Sequence, residues 1–191
     1  MPTLLDPGTY LDDLVGPTRD SMGSSRPGVH VSSIISSIEE QLHMRSSDPF
    51  PGGYLFAIVG LAWELWVRSR LGEEDAGYIW QLTAETDGIT GTLDALHLAT
   101  GDELEVIECK ATWQNASKTE NISTIPWRYM CQVKAYCYMV GAHIARMYVL
   151  HVAFPPVMRV VRLEFSNREL EENWLMVTNQ ARAQEMMGVR A

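Results

Sequence analysis

The sequence predicts an α/β (α+β) domain in which a mixed β-sheet is flanked by helices. Apolar residues recur at helical spacing in some segments, and in others they alternate with polar residues or form short apolar runs. These segments follow one another in the order helix, helix, three strands, helix, two strands, helix. With 191 residues, of which 46% are hydrophobic, the chain is large enough for a single domain with a full core. A sheet covered by helices is the architecture that this order favours.

The first part of the chain predicts an arm followed by two helices. Residues 1–27 are rich in Pro, Gly, Ser and Asp and show no periodicity, so we expect an extended N-terminal arm before a single domain over residues 28–191. Residues 31–45 have apolar side chains at helical spacing and predict an amphipathic helix. Residues 54–71 are largely apolar, which predicts a buried helix that ends near Gly72.

Three strands are predicted next, and turn residues separate them. Residues 78–85 and 89–99 flank an Asp-Gly pair at 87–88, which is a typical turn. The third strand, 103–112, follows a short turn centred on Gly101. The second and third strands should therefore pair as an antiparallel hairpin.

The last part of the chain predicts two helices around a pair of strands. Residues 113–125 are polar and irregular, and Pro126 is well suited to begin a helix that ends at residue 140. Residues 143–153 and 157–165 predict strands, interrupted by a Pro-Pro pair. A Ser-x-x-Glu capping box opens the final helix, 166–187.

The composition limits the classes of function. The chain has 15 basic and 24 acidic residues and a net charge of −9, which argues against a protein that coats nucleic acid electrostatically. It does not exclude an enzyme in which metal ions and a local basic rim meet the phosphates. Cys109, Cys131 and Cys137 form no Cys-x-x-Cys pair, so a zinc knuckle has no support and a reducing cytosol is favoured. No secretory signal or membrane span is predicted, and we expect a cytoplasmic protein.

Two carboxylates are predicted to meet across the hairpin. If its loop is centred on Gly101, residues whose numbers add up to about 202 face each other, which places Asp94 opposite Glu108 at a Cβ separation of roughly 5 Å. Like charges at this distance need a raised pKa or a cation between them. Oxygen ligands of this kind suit one or two Mg²⁺ ions, with Mn²⁺ as a substitute.

The residues that follow Glu108 add a cation and a carbonyl to this pair. Lys110 lies two residues on and shares the face of Glu108, where it would orient or help deprotonate an attacking water and neutralise developing charge. Cys109 points to the other face, but its backbone carbonyl would remain available as a metal ligand. The alternative is a surface hairpin with a cross-strand ion pair.

Glu64 is a second acidic candidate, because it lies within the apolar helix 54–71. An ionised group is costly there unless it is paired or bound to a metal. The alternative partner is Arg68, which lies four residues on.

Gln132 and Tyr136 share one face of the helix 126–140, and Arg128 continues this stripe one turn earlier. We expect this stripe to lie opposite the apolar face of the helix. An amide, a phenol and a guanidinium in a row suit contact with a phosphate backbone. The alternative is a solvated polar face with no function.

In this order the motifs resemble those of the PD-(D/E)XK nuclease superfamily, and within it the branch of RecB-type nuclease domains and lambda-type phage exonucleases. The strings concerned are Gly91-Thr-Leu-Asp94, Glu108-Cys-Lys110 and Gln132-Val-Lys-Ala-Tyr136, with the helical acid upstream. The resemblance covers roughly residues 54–141, and it departs from the nominal motif in having Leu93 in place of proline. It implies a restriction-endonuclease-like core, with a central mixed sheet and helices on both faces.

The same resemblance assigns roles to the candidate residues. Asp94 and Glu108 would be metal ligands, and Glu64 would bind a metal directly or orient it through water. Lys110 would be the catalytic lysine. Gln132 and Tyr136 would support the site and the DNA.

The resulting hypothesis is a Mg²⁺-dependent DNA nuclease, with an exonuclease of recombination, repair or phage DNA metabolism as the first choice. Its partners would be DNA and either further copies of itself or a recombination or replication protein, in a bacterial or phage-infected cell. The alternatives are a structure-specific endonuclease and a non-catalytic relative that binds nucleic acid or protein. The residues leave the choice between DNA and RNA open.

Overall fold

The computed structural model describes residues 29–41, 53–72, 77–99, 103–119 and 122–186. The predicted arm, residues 1–27, lies outside these ranges. The elements are β1 Val29–His30, α1 Val31–Gln41, α2 Gly53–Leu71, β2 Tyr78–Thr86, β3 Ile89–Leu98, β4 Leu104–Thr112, α3 Trp127–Val140, β5 Ile144–His151, β6 Val157–Glu164 and α4 Asn167–Met186. The predicted order of helices and strands is confirmed. The sequence missed β1, because a strand of two residues has no periodic pattern.

The strands form one mixed sheet in the order β1-β3-β4-β5-β6, with β2 also paired to β3. The pairs β2–β3, β3–β4 and β5–β6 are antiparallel, whereas β1–β3 and β4–β5 are parallel. Because β2 follows one whole edge of β3, β1 and β4 share the other edge. Between these two partners, residues 91–94 of β3 have no strand pairing at that edge in the described part of the chain.

Helices cover both faces of the sheet, as predicted. On one face, α1, α3 and α4 pack around the larger hydrophobic cluster, which includes Ile34, Val133 and Val177. On the other face, α2 covers a smaller cluster through Trp63 and Val67. The indole Nε1 of Trp63 donates a hydrogen bond to the backbone carbonyl of Tyr148, at 2.9 Å, which ties α2 to the centre of the sheet. None of the described helices combines the length and the apolar character that crossing a membrane requires.

Along β2 and β3, the alternation of side chains between the two faces of the sheet is interrupted at the same level, so both strands change faces there. Residues two apart on a regular strand share a face, yet Trp80 packs with the cluster under α2 and Leu82 packs with the cluster under α3. On β3, Leu93 and Ala95 make the same change. The register pairs Trp80 with Ala95 and Leu82 with Leu93. The change of face therefore falls between these two pairs.

Gly91 on β3 allows an aromatic side chain of α3 to lie directly on the strand. A Cβ at this position would lie 2.8 Å from Cε1 of Tyr136 and 3.0 Å from Sδ of Met139. Tyr136 is only 3% exposed, so its ring has little room to move away. A residue with a side chain would push α3 off the sheet at this point.

Replacing Gly91 by alanine is expected to lower the free energy of unfolding by about 1–3 kcal/mol, because the added methyl group overpacks the contact with Tyr136. Urea unfolding would measure the loss. Gly60→Ala is the matched control, since a Cβ at Gly60, inside α2, would lie within 4 Å of no described atom beyond its chain neighbours and the nearby helix backbone. That control should gain about 0.5–1 kcal/mol from the better helix propensity of alanine. Equal effects of the two substitutions would contradict the packing argument.

Candidate active site

The candidate site lies where β3 and β4 separate. The predicted hairpin register is confirmed, because the ladder pairs Leu98 with Leu104 and ends with Ala95 and Ile107. One step further in the same register places Asp94 opposite Glu108. Beyond that step β3 remains paired with β2, and β4 remains paired with β5. The two acidic residues therefore lie at a fork between two pairs of strands.

The carboxylate of Asp94 bridges this fork. The backbone N–H of Cys109 donates a hydrogen bond to Oδ2 of Asp94, at 2.6 Å. Burial raises the pKa of Asp94, while the charge of Lys110 and this backbone hydrogen bond lower it by less. The contact fixes the carboxylate beside β4 and leaves its other oxygen for a further ligand.

Glu108 is the most deeply buried acid of the site. Its exposed fraction is 1%, its Oε1 forms an ion pair with Nζ of Lys110, and its Oε2 is buried with no hydrogen-bond partner among the described residues. Burial, followed by the like charge of Asp94, raises the pKa of Glu108 to about 8. A buried carboxylate oxygen without a donor is costly unless a cation or water occupies its lone pairs.

Lys110 is held between its ion-pair partner and an amide. Its Nζ contacts Glu108 and donates a hydrogen bond to Oε1 of Gln132, at 2.9 Å. Burial alone would lower the pKa of this amine, but the carboxylates of Glu108 and Asp94 raise it well above its ordinary value. The lysine therefore carries its charge next to both acids, in a side chain that is only partly exposed to solvent.

A chain of contacts links Gln132 to the strand. Nε2 of Gln132 donates to the hydroxyl of Tyr136, at 2.8 Å, and the ring of Tyr136 lies against Gly91. The amide is thus held at both ends, by the phenol and by Lys110. This arrangement orients the amide oxygen toward the lysine.

The prediction of a polar stripe on α3 is wrong for Tyr136, because this residue is buried and not at the surface. Helices α1 and α4 and the sheet all contact α3, so it has no single apolar face. Tyr136 can support the site only from within. Arg128 is exposed, and its guanidinium lies over the ring of Tyr129, with Cζ 5.0 Å from the ring centroid.

Tyr129 was not predicted from the sequence, although it links the two cations of this region. Nζ of Lys110 lies 5.4 Å from the centroid of its ring. Arg128 lies over the same ring, so the phenol contacts both a largely shielded cation and an exposed one. An aromatic residue next to Arg128 carries no sequence signal for such a role, because buried aromatic residues are common.

Glu64 approaches the site from α2. Its Oε1 accepts a hydrogen bond from Nε2 of Gln81, while the guanidinium of its predicted alternative partner, Arg68, lies over the ring of Trp80 at 5.7 Å. Burial, followed by the charge of Asp94, raises the pKa of Glu64. The structure therefore brings Glu64 within electrostatic reach of the strand acids, and it adds Gln81, which the sequence analysis did not single out.

The donor set fits a hard divalent cation. Within the described ranges no group of three or more His, Cys, Asp and Glu side chains is gathered to hold a metal ion. Mg²⁺, however, typically needs only one or two protein carboxylates and keeps several waters. Asp94, Glu108 with its buried oxygen, and the carbonyl of Cys109 would supply such a set. Burial, with the nearby carboxylates, raises the pKa of the Cys109 thiol. A soft sulfur atom is also not a ligand that Mg²⁺ prefers.

The fold is similar to those of solved structures at low sequence identity. The chain matches SSO0001 with a TM-score of 0.60 and 14% identity, over 94% of this chain and 85% of that one. It matches the alkaline exonuclease LHK-Exo from Laribacter hongkongensis with a TM-score of 0.54 and 15% identity, over 84% and 89% of the two chains. A phage-related exonuclease from Haemophilus somnus 129PT matches with a TM-score of 0.51 and 12% identity, over 84% and 83%. No family model and no curated protein matches the chain.

The metal-free protein is expected to lose stability as the pH rises from 4.5 to about 8. Glu108 releases its proton near 4.5 in the unfolded chain but only near 8 in the folded protein. Between these values the unfolded state binds fewer protons, so a rise in pH favours unfolding, by an amount on the order of a few kcal/mol.

Glu108→Gln should flatten this dependence, because the amide does not titrate. Urea unfolding across this pH range, without divalent cations, would measure it. Glu85→Gln, at an exposed position on β2, is the control and should keep the wild-type slope. A wild-type stability that rises over the same range would contradict the assignment.

Proposed function

We propose that this protein is a Mg²⁺-dependent DNA nuclease of the PD-(D/E)XK type, and that it acts as an exonuclease. The observation that carries the proposal is the cluster at the β3–β4 fork, where Asp94, Glu108 and Lys110 meet. One buried oxygen of Glu108 there has no hydrogen-bond partner in the part of the chain that the structure describes. Similarity in fold to exonucleases, including LHK-Exo, which has been solved in complex with dAMP, supports it.

The acids of the fork would hold the cation, and Glu64 would do so through water. A divalent cation bound there would polarise a phosphodiester and lower the pKa of the attacking water. The carboxylates of Asp94 and Glu108 come from different strands, so their separation depends on the fork and not on a flexible loop. Their fixed position avoids the free-energy cost of reorganisation when substrate binds.

Lys110 would stabilise the charge that develops on the phosphate. Its amine is charged, its side chain is largely shielded, with 18% exposed, and Gln132 orients it, so it does not need to rearrange during the reaction. A preorganised cation in a site shielded from water is worth far more than a solvated one. The same amine would also orient the water that attacks the phosphorus.

Arg128 would contact the DNA backbone outside the site. Its guanidinium is exposed and is held over Tyr129, whose other cationic neighbour is Lys110. Because the net charge of the chain is −9, binding to DNA has to rely on local cations of this kind. By this proposal the protein serves recombination, repair or phage DNA metabolism.

Lys110→Ala is expected to slow Mg²⁺-dependent cleavage of end-labelled linear DNA by about 10²–10³-fold, because the transition state loses a preorganised cation. Lys134→Ala is the matched control. Lys134 is on the same helix as Gln132, but its Nζ lies 3.6 Å from Oε1 of Glu169 on α4, and its loss should leave the rate unchanged.

The same assay distinguishes the modes of cleavage. Cutting of linear DNA alone, abolished by EDTA, is the expected result, and the labelled end gives the polarity. Cutting of closed-circular DNA as well would make the protein an endonuclease. No metal-dependent cleavage of single- or double-stranded DNA would overturn the proposal.

Arg128→Ala is expected to raise KM several-fold with little change in kcat, because the side chain would contribute phosphate binding and not chemistry. The slope of log KM against log salt concentration should fall by about 1, as for the loss of one phosphate contact. Arg168→Ala is the control, since Nε of Arg168 pairs with Glu172 at 2.7 Å on the exposed side of α4. An unchanged salt slope in Arg128→Ala would contradict the assigned contact.

A further inference from the structure

Gln81 has an unusual backbone for its place in the sheet. Among the described residues other than glycine, only Gln81 and Asp87 have a positive φ, of 53° and 54°. Asp87 lies in the turn between β2 and β3, where this conformation is common. Gln81 lies in the interior of β2. A left-handed residue with a side chain costs free energy in a strand and persists only where the surrounding structure imposes it.

The position of Gln81 coincides with the level of the candidate site. In the register of β2 and β3, Trp80 pairs with Ala95 and Leu82 with Leu93, so Gln81 lies across from Asp94. This is also the level at which both strands change faces. Gln81, the left-handed residue of β2, therefore lies at the level where β3 changes faces and Asp94 reaches the fork.

The side chain of Gln81 is directed at the third acid of the site. Its Nε2 donates to Oε1 of Glu64, which joins strand β2 to helix α2. An amide can orient a carboxylate without neutralising its charge, whereas a cation would compete with a bound metal. Arg68, the nearest basic residue along α2, lies over Trp80, and its charge lowers the pKa of Glu64 by less than burial raises it.

We propose that Gln81 is a positioning residue with two effects. Its left-handed backbone makes β2 and β3 change faces at Asp94, and its side chain holds one oxygen of Glu64 so that the other oxygen is available to the site. This inference rests on the proposed function, since the group being positioned would bind a divalent cation or its water. The simpler explanation is that the left-handed backbone at Gln81 only protects β2 from pairing with another chain, since β2 pairs with β3 alone in the described part of the chain. The two explanations differ in whether the side-chain amide of Gln81 affects the binding of a divalent cation.

Gln81→Gly and Gln81→Met separate the amide from the backbone. Glycine accepts a positive φ without strain, and methionine keeps the length of the side chain without the amide. In the full chain, both variants should bind Mn²⁺ about 10–100-fold more weakly than the wild type, as on loss of other groups that orient a ligand. The melting temperature of metal-free Gln81→Gly should not fall. Glu85→Gly, at an exposed site on the same strand, controls for a glycine in β2 and should bind Mn²⁺ like the wild type.

Electron paramagnetic resonance of free Mn²⁺ gives these affinities without reference to cleavage. Wild-type affinity in both Gln81 variants would overturn the inference and leave the proposed function standing. Weaker binding in Gln81→Gly alone would also overturn it, because strand flexibility and not the amide would then be the cause. Absence of Mn²⁺ binding by the wild type would overturn the proposed function, and this inference with it.

Discussion

Burial of the Glu108 side chain constrains every other group in the candidate site. With an exposed fraction of 1%, its carboxylate has lost almost all contact with water, and an ionised group in that position needs compensation from the protein. Lys110 compensates one oxygen, and the other has no donor within the described ranges. Asp94 then adds a second negative charge across the fork. An arrangement that is unfavourable in the metal-free protein is the kind that a divalent cation would stabilise, since removal of the repulsion would contribute to its binding free energy.

The motifs that are separated along the chain form one continuous series of contacts. Gly91 leaves space for the ring of Tyr136, the hydroxyl of Tyr136 accepts from Gln132, and the amide oxygen of Gln132 accepts from Lys110. The position of the lysine therefore depends on the absence of a side chain on β3. This dependence gives the glycine and the tyrosine a structural reason within the site.

Much of the fold was predictable because its signals are local. Period-two alternation and the turn residues near Gly88 and Gly101 predicted β2, β3 and β4 and the register that brings Asp94 toward Glu108. The burial of Tyr136 was not predictable in the same way. An amphipathic pattern assumes one buried face, but α3 is covered by the sheet, α1 and α4 together, and this depends on how distant elements pack.

The sequence by itself determined the order of the elements and which charged residues share a strand face, because strand pleat and helix pitch follow from backbone geometry alone. Only the tertiary structure decided that Glu64 accepts a hydrogen bond from Gln81 while Arg68 lies over Trp80, and that one oxygen of Glu108 has no donor among the described residues. Both outcomes depend on how residues far apart in the chain pack together. The first also involves a left-handed φ at Gln81, a residue type with no intrinsic preference for that conformation. The local pattern identified the chemical groups, and long-range packing set the environment in which they would act.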